Sequence, residues 1–330
     1  MALGRKVMAM MKVPGFAILA IVAVSAAAAP TPLVTTELTV PGPQGPVAGT
    51  LVDPDGKGPA IVIIPGSGPT DRDGNNPLGV KAASYRMLAE ALAARGIATL
   101  RADKRGLGAS KAAMADPSAV TIADYAGDAH AWAKLIAERT GRRCVWLLGH
   151  SEGGLIALRA AQDPSGLCGI ILVAAPGRPL GTVMRGQFRA NPANAAILDA
   201  ALAMLDAIEA GRQVDPATLP PPLDKMFPAA VQPYMIDLLS YDPAKLAASV
   251  RLPILIVQGE RDTQVGVEDA RALAVAAPRA TLALLPGVNH VLKLVATDDR
   301  AANRATYGDP TLPIAPAVID TVAAFVTMTR

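Results

Sequence analysis

The sequence predicts an α/β fold, a mostly parallel sheet with helices on both faces and one helical insertion. Three observations carry that expectation. Continuous apolar runs of four to six residues recur along the chain, the pattern of strands covered on both faces. Segments of helical length separate them, and such alternation produces a layered α/β domain. One gap of about eighty residues, between Val173 and Ile254, is far longer than a single crossover helix requires. A length of 330 residues allows one large domain or two small ones.

Taken in order, residues 38–40 and 47–52 read as an opening hairpin, joined through the turn-rich Pro41-Gly42-Pro43-Gln44-Gly45-Pro46. Strands follow at 60–64, 97–101, 145–148, 169–173, 254–257 and 281–285. Helices are expected over 81–95, 122–139, 155–162 and 267–276, with a terminal helix over 318–328. Within the long gap, residues 195–210 are strongly helical, while Pro216 and Pro220-Pro221-Pro222 mark a kinked connection. This cap-like insertion, about 178–245, supplies Met184, Phe188, Met226 and Phe227 as candidate substrate contacts. Most of its apolar side chains are expected to pack the insertion onto the body, with a few facing a pocket. Residues 298–313 read as a long polar loop.

Charge is unevenly placed. There are 31 Lys and Arg against 28 Asp and Glu, a formal net charge of +3. Arg5, Lys6 and Lys12 lie in the first dozen residues, and no acidic residue precedes Glu37. Without that segment, 28 residues of each sign remain, so the body is formally neutral and lacks the basic stripe of a nucleic-acid binder. A chain that is 51% hydrophobic is also unlike a disordered one. The three basic residues, the apolar run 13–24 and Ser25-Ala26-Ala27-Ala28-Ala29 have the three parts of a secretory signal peptide. Residues 1–28 are therefore expected to be a signal peptide, cut after Ala28 or slightly earlier, and 29–330 the folded domain. The product would be exported, periplasmic or secreted, with no stable membrane insertion. A retained anchor is the alternative, since residues 13–29 give 17 uncharged positions, the short limit for spanning a bilayer. Cys144 and Cys168 each open an apolar run. In an oxidising compartment they pair, or they remain two buried thiols; both stay open.

The strongest local signal is Gly149-His150-Ser151-Glu152-Gly153-Gly154, placed between an apolar strand and the helical Leu155-Ile156-Ala157-Leu158. This is G-x-S-x-G in the strand–turn–helix setting that presents a nucleophilic serine. A serine hydroxyl is a weak nucleophile alone, so a base and an orienting acid must accompany it. Only three histidines exist. His150 adjoins the nucleophile, where the tight turn directs it away from Ser151. His130 sits inside a helix. His290 follows the late strand through Pro286-Gly287-Val288-Asn289, the place for a base reaching over the sheet edge. Asp262, in Gln258-Gly259-Glu260-Arg261-Asp262, lies beyond the preceding strand. Ser151, Asp262 and His290 thus follow the order nucleophile, acid, base; Glu260 is the alternative acid. Oxyanion donors are expected from the Glu152 amide and from Pro65-Gly66-Ser67-Gly68-Pro69, where Gly66, Ser67 and Gly68 keep backbone N–H groups.

These residues resemble the α/β-hydrolase superfamily. Within it, Gly66-Ser67-Gly68-Pro69-Thr70-Asp71-Arg72-Asp73-Gly74-Asn75, Asp103-Lys104-Arg105-Gly106-Leu107-Gly108-Ala109-Ser110, the serine motif and Gly259-Glu260-Arg261-Asp262 are similar to a group of bacterial carboxylesterases. The similarity runs from about residue 60 to 290. It implies the α/β-hydrolase fold, a catalytic triad of Ser151, Asp262 and His290, an oxyanion hole at Ser67 and Glu152, and substrate contacts that include Gly68 and His150. Pro65 departs from the superfamily, where many members carry His, and leaves the choice between Ser67 and Gly68 open. Asp71, Arg72, Asp73 and Asn75 are expected to form a structural ion-pair network with Asp103 rather than an acyl entrance. Neither a phosphate-cradling G-x-G-x-x-G nor a P-loop occurs at a strand–helix junction, and no cofactor or metal is expected. The expected activity is hydrolysis of small carboxylic esters, of short or medium acyl length. A peptidase or thioesterase of the same fold is the alternative, and a non-catalytic ligand-binding homologue a more distant one.

Overall fold

The computed structural model describes Met1 and residues 33–54 and 56–329, so the expected signal peptide lies, Met1 aside, outside the described residues. Eight strands form one sheet: β1 (Thr35–Pro41), β2 (Pro46–Val52), β3 (Ala60–Ile64), β4 (Ala98–Ala102), β5 (Val145–His150), β6 (Leu167–Val173), β7 (Ile254–Gly259) and β8 (Thr281–Leu285). Across the sheet they run β1-β2-β4-β3-β5-β6-β7-β8. β1 and β2 make an antiparallel hairpin, β2 joins β4 antiparallel, and the remaining pairings are parallel. The expected strands are these eight. β3, β4, β5 and β7 are buried along their whole length, which is why their sequences are mostly apolar.

Period-two alternation splits the core between the two faces. Val62, Leu100, Leu147 and Leu172 point to one face, and Ile61, Ile63, Leu148 and Ile171 to the other. The body helices are α1 (Ser84–Ala93), α2 (Ile122–Thr140) and α3 (Glu152–Ala160). The insertion between β6 and β7 carries α4 (Leu180–Ala190), α5 (Leu198–Glu209), α6 (Leu223–Met226), α7 (Gln232–Leu239) and α8 (Pro243–Ser249), and the chain ends with α9 (Val267–Ala276), α10 (Arg300–Ala305) and α11 (Pro316–Met328). Trp132 of α2, Leu155 of α3 and Leu273 of α9 pack on the first face, while Leu88 of α1 and Val322 of α11 pack on the second. α2 begins where the sequence permits: Thr121 and Asp124 form a reciprocal capping box, and Gly141 ends the helix in the left-handed region.

One open alternative is decided and one expectation changes. Cys144 and Cys168 form a disulfide, with Cα atoms 5.1 Å apart, because their strands are neighbours in the sheet. The stretch 298–313 is not a plain loop. It holds α10, capped by the Asp299 carboxylate, which accepts from the Ala301 and Ala302 amides at 3.0 and 3.3 Å. Its six residues, three alanines among two arginines and an asparagine, show no apolar period, so local capping rather than amphipathicity makes this helix.

Candidate active site

Ser151 stands between β5 and α3 with φ 54° and ψ −123°, a strained conformation for a residue with a side chain. The flanking glycines explain how the turn closes. A Cβ on Gly149 would drive into the Gly153 carbonyl, and one on Gly153 into the Ile64 carbonyl. The turn therefore tolerates side chains only at His150, Ser151 and Glu152.

Asp262 and His290 meet beyond β7 and β8. His290 Nδ1 lies 2.7 Å from Asp262 Oδ2, and the Asp262 side chain is fully buried. Its other oxygen accepts from the Gln264 and Val265 amides at 2.8 and 3.0 Å, so backbone donors fix the orientation of the carboxylate toward His290. Glu260, the alternative acid, is exposed. The loop carrying His290 is braced by buried Asn289, which donates to Asn303 Oδ1 (3.0 Å) and Thr306 Oγ1 (2.7 Å). α10 and the turn after it thus hold the base loop.

The loop after β3 is fixed on both sides of one residue, Gly66, through the two peptide groups that flank it. The Gly66 amide donates to Tyr85 Oη at 3.0 Å, which removes Gly66 from the candidate oxyanion donors. The Gly66 carbonyl accepts from Lys104 Nζ at 2.7 Å. That carbonyl and the Ser67 N–H belong to the same planar unit and point in opposite directions. Orienting one orients the other. Lys104 also lies 3.4 Å from Glu152 Oε1, and both side chains are buried.

Two cavities meet at Ser151. The larger, about 460 Å³, runs under the insertion, bordered by Ser67, Gly68, Glu152, Met184, Met226 and Phe227 among others. The smaller, about 150 Å³, is bordered by Ser67, His150, Ser151 and His290.

This geometry has relatives. Residues 78–214 match the serine aminopeptidase S33 family. Esterase EstD of Thermotoga maritima is 30% identical over 237 residues, covering 71% of this chain and 53% of EstD. The chain thus spans about half the length of that curated relative. Among solved structures, Est1E of Butyrivibrio proteoclasticus with ferulic acid bound superposes with a TM-score of 0.57 at 18% identity, over 88% of this chain and 98% of Est1E. The Pyrococcus furiosus esterase Pf2001 gives 0.56 at 16% identity, over 90% and 93%. The chain has the α/β-hydrolase fold.

Two expected substrate contacts are corrected. Phe188 borders neither cavity; it is buried in the apolar core beneath the insertion, one position past Gln187, the last α4 side chain on the cavity. His150 borders only the smaller cavity, and both its ring nitrogens are occupied by protein. Nε2 donates to the His290 carbonyl (2.8 Å), while Nδ1 accepts from Tyr85 Oη, also at 2.8 Å. Burial, with the neighbouring His290 adding to it, pushes His150 down to about 3, so the ring is neutral, as those two bonds require. It is a strut between the oxyanion loop and the base loop, not a substrate ligand. His130 is remote from the site and bonds the Ala160 carbonyl.

The charged loop has the structural role expected of it. Arg72 pairs with Asp103 at 2.7 Å and Glu37 at 2.6 Å, Asp73 pairs with Arg101, and Asp71 Oδ1 accepts from the Asp73 and Asn75 amides. None of Asp71, Arg72, Asp73 and Asn75 borders either cavity. Two neighbours of the site had been given no role from the sequence: Tyr85 and Lys104. Lys104 had a signal, an ionisable run Asp103-Lys104-Arg105 at the end of a central strand. Tyr85 had none, whereas Tyr234 belongs to the insertion's apolar and aromatic set, of which a few members were expected to face a pocket. Tyr234 borders the larger cavity with its hydroxyl buried against Glu152, and burial together with that carboxylate pushes its phenol well up.

Proposed function

We propose that the protein is a serine carboxylesterase working through an acyl-enzyme intermediate. The observation that carries this reading is Ser151 on its strained turn, beside a base already oriented by a buried carboxylate. Ser151 Oγ attacks the ester carbonyl as His290 Nε2 takes its proton. Asp262 keeps Nδ1 protonated and stabilises the imidazolium. The Ser67 and Glu152 amides hold the oxyanion. Gly66 is committed to Tyr85, and the orientation of the Gly66–Ser67 peptide favours Ser67 over Gly68 as second donor. His290 then protonates the leaving oxygen, and water releases the acid by the same route.

The larger cavity is the acyl site in this proposal. Met114, Met184, Met226 and Met235 border it, and flexible thioether side chains suit linear acyl groups of short or medium length. EstD is named an esterase and Est1E holds ferulic acid, which supports ester chemistry; the aminopeptidase description of the matching family keeps amides as a second reading. We further propose that the protein acts outside the cytoplasm, on the strength of its N-terminal sequence and of a disulfide, which persists in oxidising compartments.

A panel of acyl esters, thioesters and aminoacyl amides, assayed with wild type and Ser151→Ala, tests the proposal. Ester turnover should dominate and vanish in the variant. Amides turned over faster than esters would transfer the assignment to a peptidase, and full ester turnover by Ser151→Ala would reject the mechanism.

A further inference from the structure

The two cavities differ in which member of the machinery they touch. The larger includes Glu152 and not His290; the smaller includes His290 and not Glu152; Ser67, Ser151 and Gln264 border both. Chemistry assigns them. As the tetrahedral intermediate collapses, its bond to the departing oxygen breaks, the electron pair goes to that oxygen, and the proton on His290 Nε2 follows it. The departing alcohol therefore lies on the side of His290, and the acyl group that stays on Ser151 takes the other side.

From this we infer that the smaller cavity is the leaving-group subsite and that it selects a short, polyhydroxylated alcohol. The inference rests on the esterase reading and adds the chemistry of the second half of the substrate. Size sets the first limit: at about 30 Å³ per water in the liquid, about 150 Å³ admits a few carbon and oxygen atoms but not a long alkyl chain. The walls set the second. Thr70 and Asn76 come from the loop after β3, Gln264 from the loop after β7, and Tyr307 from the turn after α10; Val80 and Val291 are the only aliphatic side chains among its bordering residues. Gln264 Nε2 donates to Tyr307 Oη at 3.1 Å, and Asn76 Nδ2 to Thr70 Oγ1 at 3.3 Å. An alcohol bearing hydroxyls joins these pairs. An alkyl group of the same shape displaces water from them and returns no hydrogen bond. The larger cavity is bordered mainly by methionine, leucine, valine and proline, with Lys104, Glu152, Gln187 and Tyr234 among its polar side chains, and offers an apolar group far more surface.

The test holds the acyl group and carbon skeleton constant. Purified full-length protein is assayed on 1-monobutanoyl glycerol and on n-propyl butanoate, which differ only by two hydroxyls, with wild type, Ser151→Ala, Tyr307→Phe and Gln264→Leu. Wild type should favour the glyceryl ester by about ten-fold or more in kcat/KM, the worth of one unmet buried hydrogen bond. Tyr307→Phe and Gln264→Leu should each shrink that ratio. Equal or faster turnover of the propyl ester overturns the inference while leaving the esterase reading intact, and so does a ratio unmoved in both variants. Absence of Ser151-dependent turnover of either ester overturns both.

Discussion

Replacing Lys104 by Met removes an ammonium while keeping the length of the side chain. Lys104 touches no substrate in the proposed mechanism; it acts through the Gly66 carbonyl at 2.7 Å, and so through the Ser67 N–H on the same peptide. A hydrogen bond to a charged group is worth about 1.5–3 kcal/mol, and loss of a whole oxyanion donor costs about 3–4 kcal/mol. The expected effect lies at or below the second figure, because Ser67 N–H remains but is less firmly aimed. About 1.5–3 kcal/mol corresponds to a fall in kcat of roughly 10- to 150-fold. KM should move little, since the oxyanion forms only in the transition state. The buried Glu152 carboxylate loses its cation in this variant, so a second variant carrying both Lys104→Met and Glu152→Gln separates the loss of orientation from a stranded charge. Steady-state kinetics on a short ester and the affinity for a trifluoromethyl ketone, which mimics the oxyanion, provide the readout. Both should fall by similar factors in both variants. A raised KM with unchanged kcat, or recovery of kcat in the double variant, would refute the argument.

Three further outcomes follow from the same structure. Ser151→Gly relieves the positive φ and should raise stability by about 1 kcal/mol in urea unfolding while abolishing turnover. Reducing the Cys144–Cys168 bridge, which spans 24 positions, should lower unfolding free energy by about 3.5 kcal/mol on the chain-entropy account; calorimetry with and without dithiothreitol measures it. His150 is held down near 3 in the folded state, from an ordinary value of 6.5, so between those values the unfolded chain binds the extra proton. Its contribution to stability is present above pH 6.5 and is lost as pH falls towards 3, by about 2 kcal/mol between pH 6.5 and pH 5. Unfolding curves at those two pH values should show a loss that His150→Asn removes.

The serine turn was legible because its constraint is local: two glycines either fit or block the turn within five residues. The meeting of Asp262 and His290 was legible by elimination, since three histidines leave one on a loop beyond a late strand. Strand positions followed from burial on both faces. The walls of the site were harder. Met184 and Phe188 are four residues apart on α4, yet one borders the cavity and the other fills the core, a difference set by what packs against the helix. Lys104 reaches Gly66 across 38 positions and Tyr85 reaches it across 19, contacts that exist only once the sheet has formed. α10 was hidden because a capped six-residue helix of alanine, arginine and asparagine has no periodicity to read.

The insertion that roofs the larger cavity leaves from the end of β6 and returns through α8 to β7, its immediate neighbour in the sheet. Ser151 precedes this detour in the chain; Asp262 and His290 follow it. A change of length or sequence between those two junctions therefore remodels the proposed acyl chamber without disturbing the register of any strand that leads to Ser151, Asp262 or His290. In lineages descended from such an ancestor, chemistry and taste for substrate are free to diverge at different rates. The same arrangement gives protein engineers a single-segment graft, in which a roof borrowed from another hydrolase is joined at two points of one crossover.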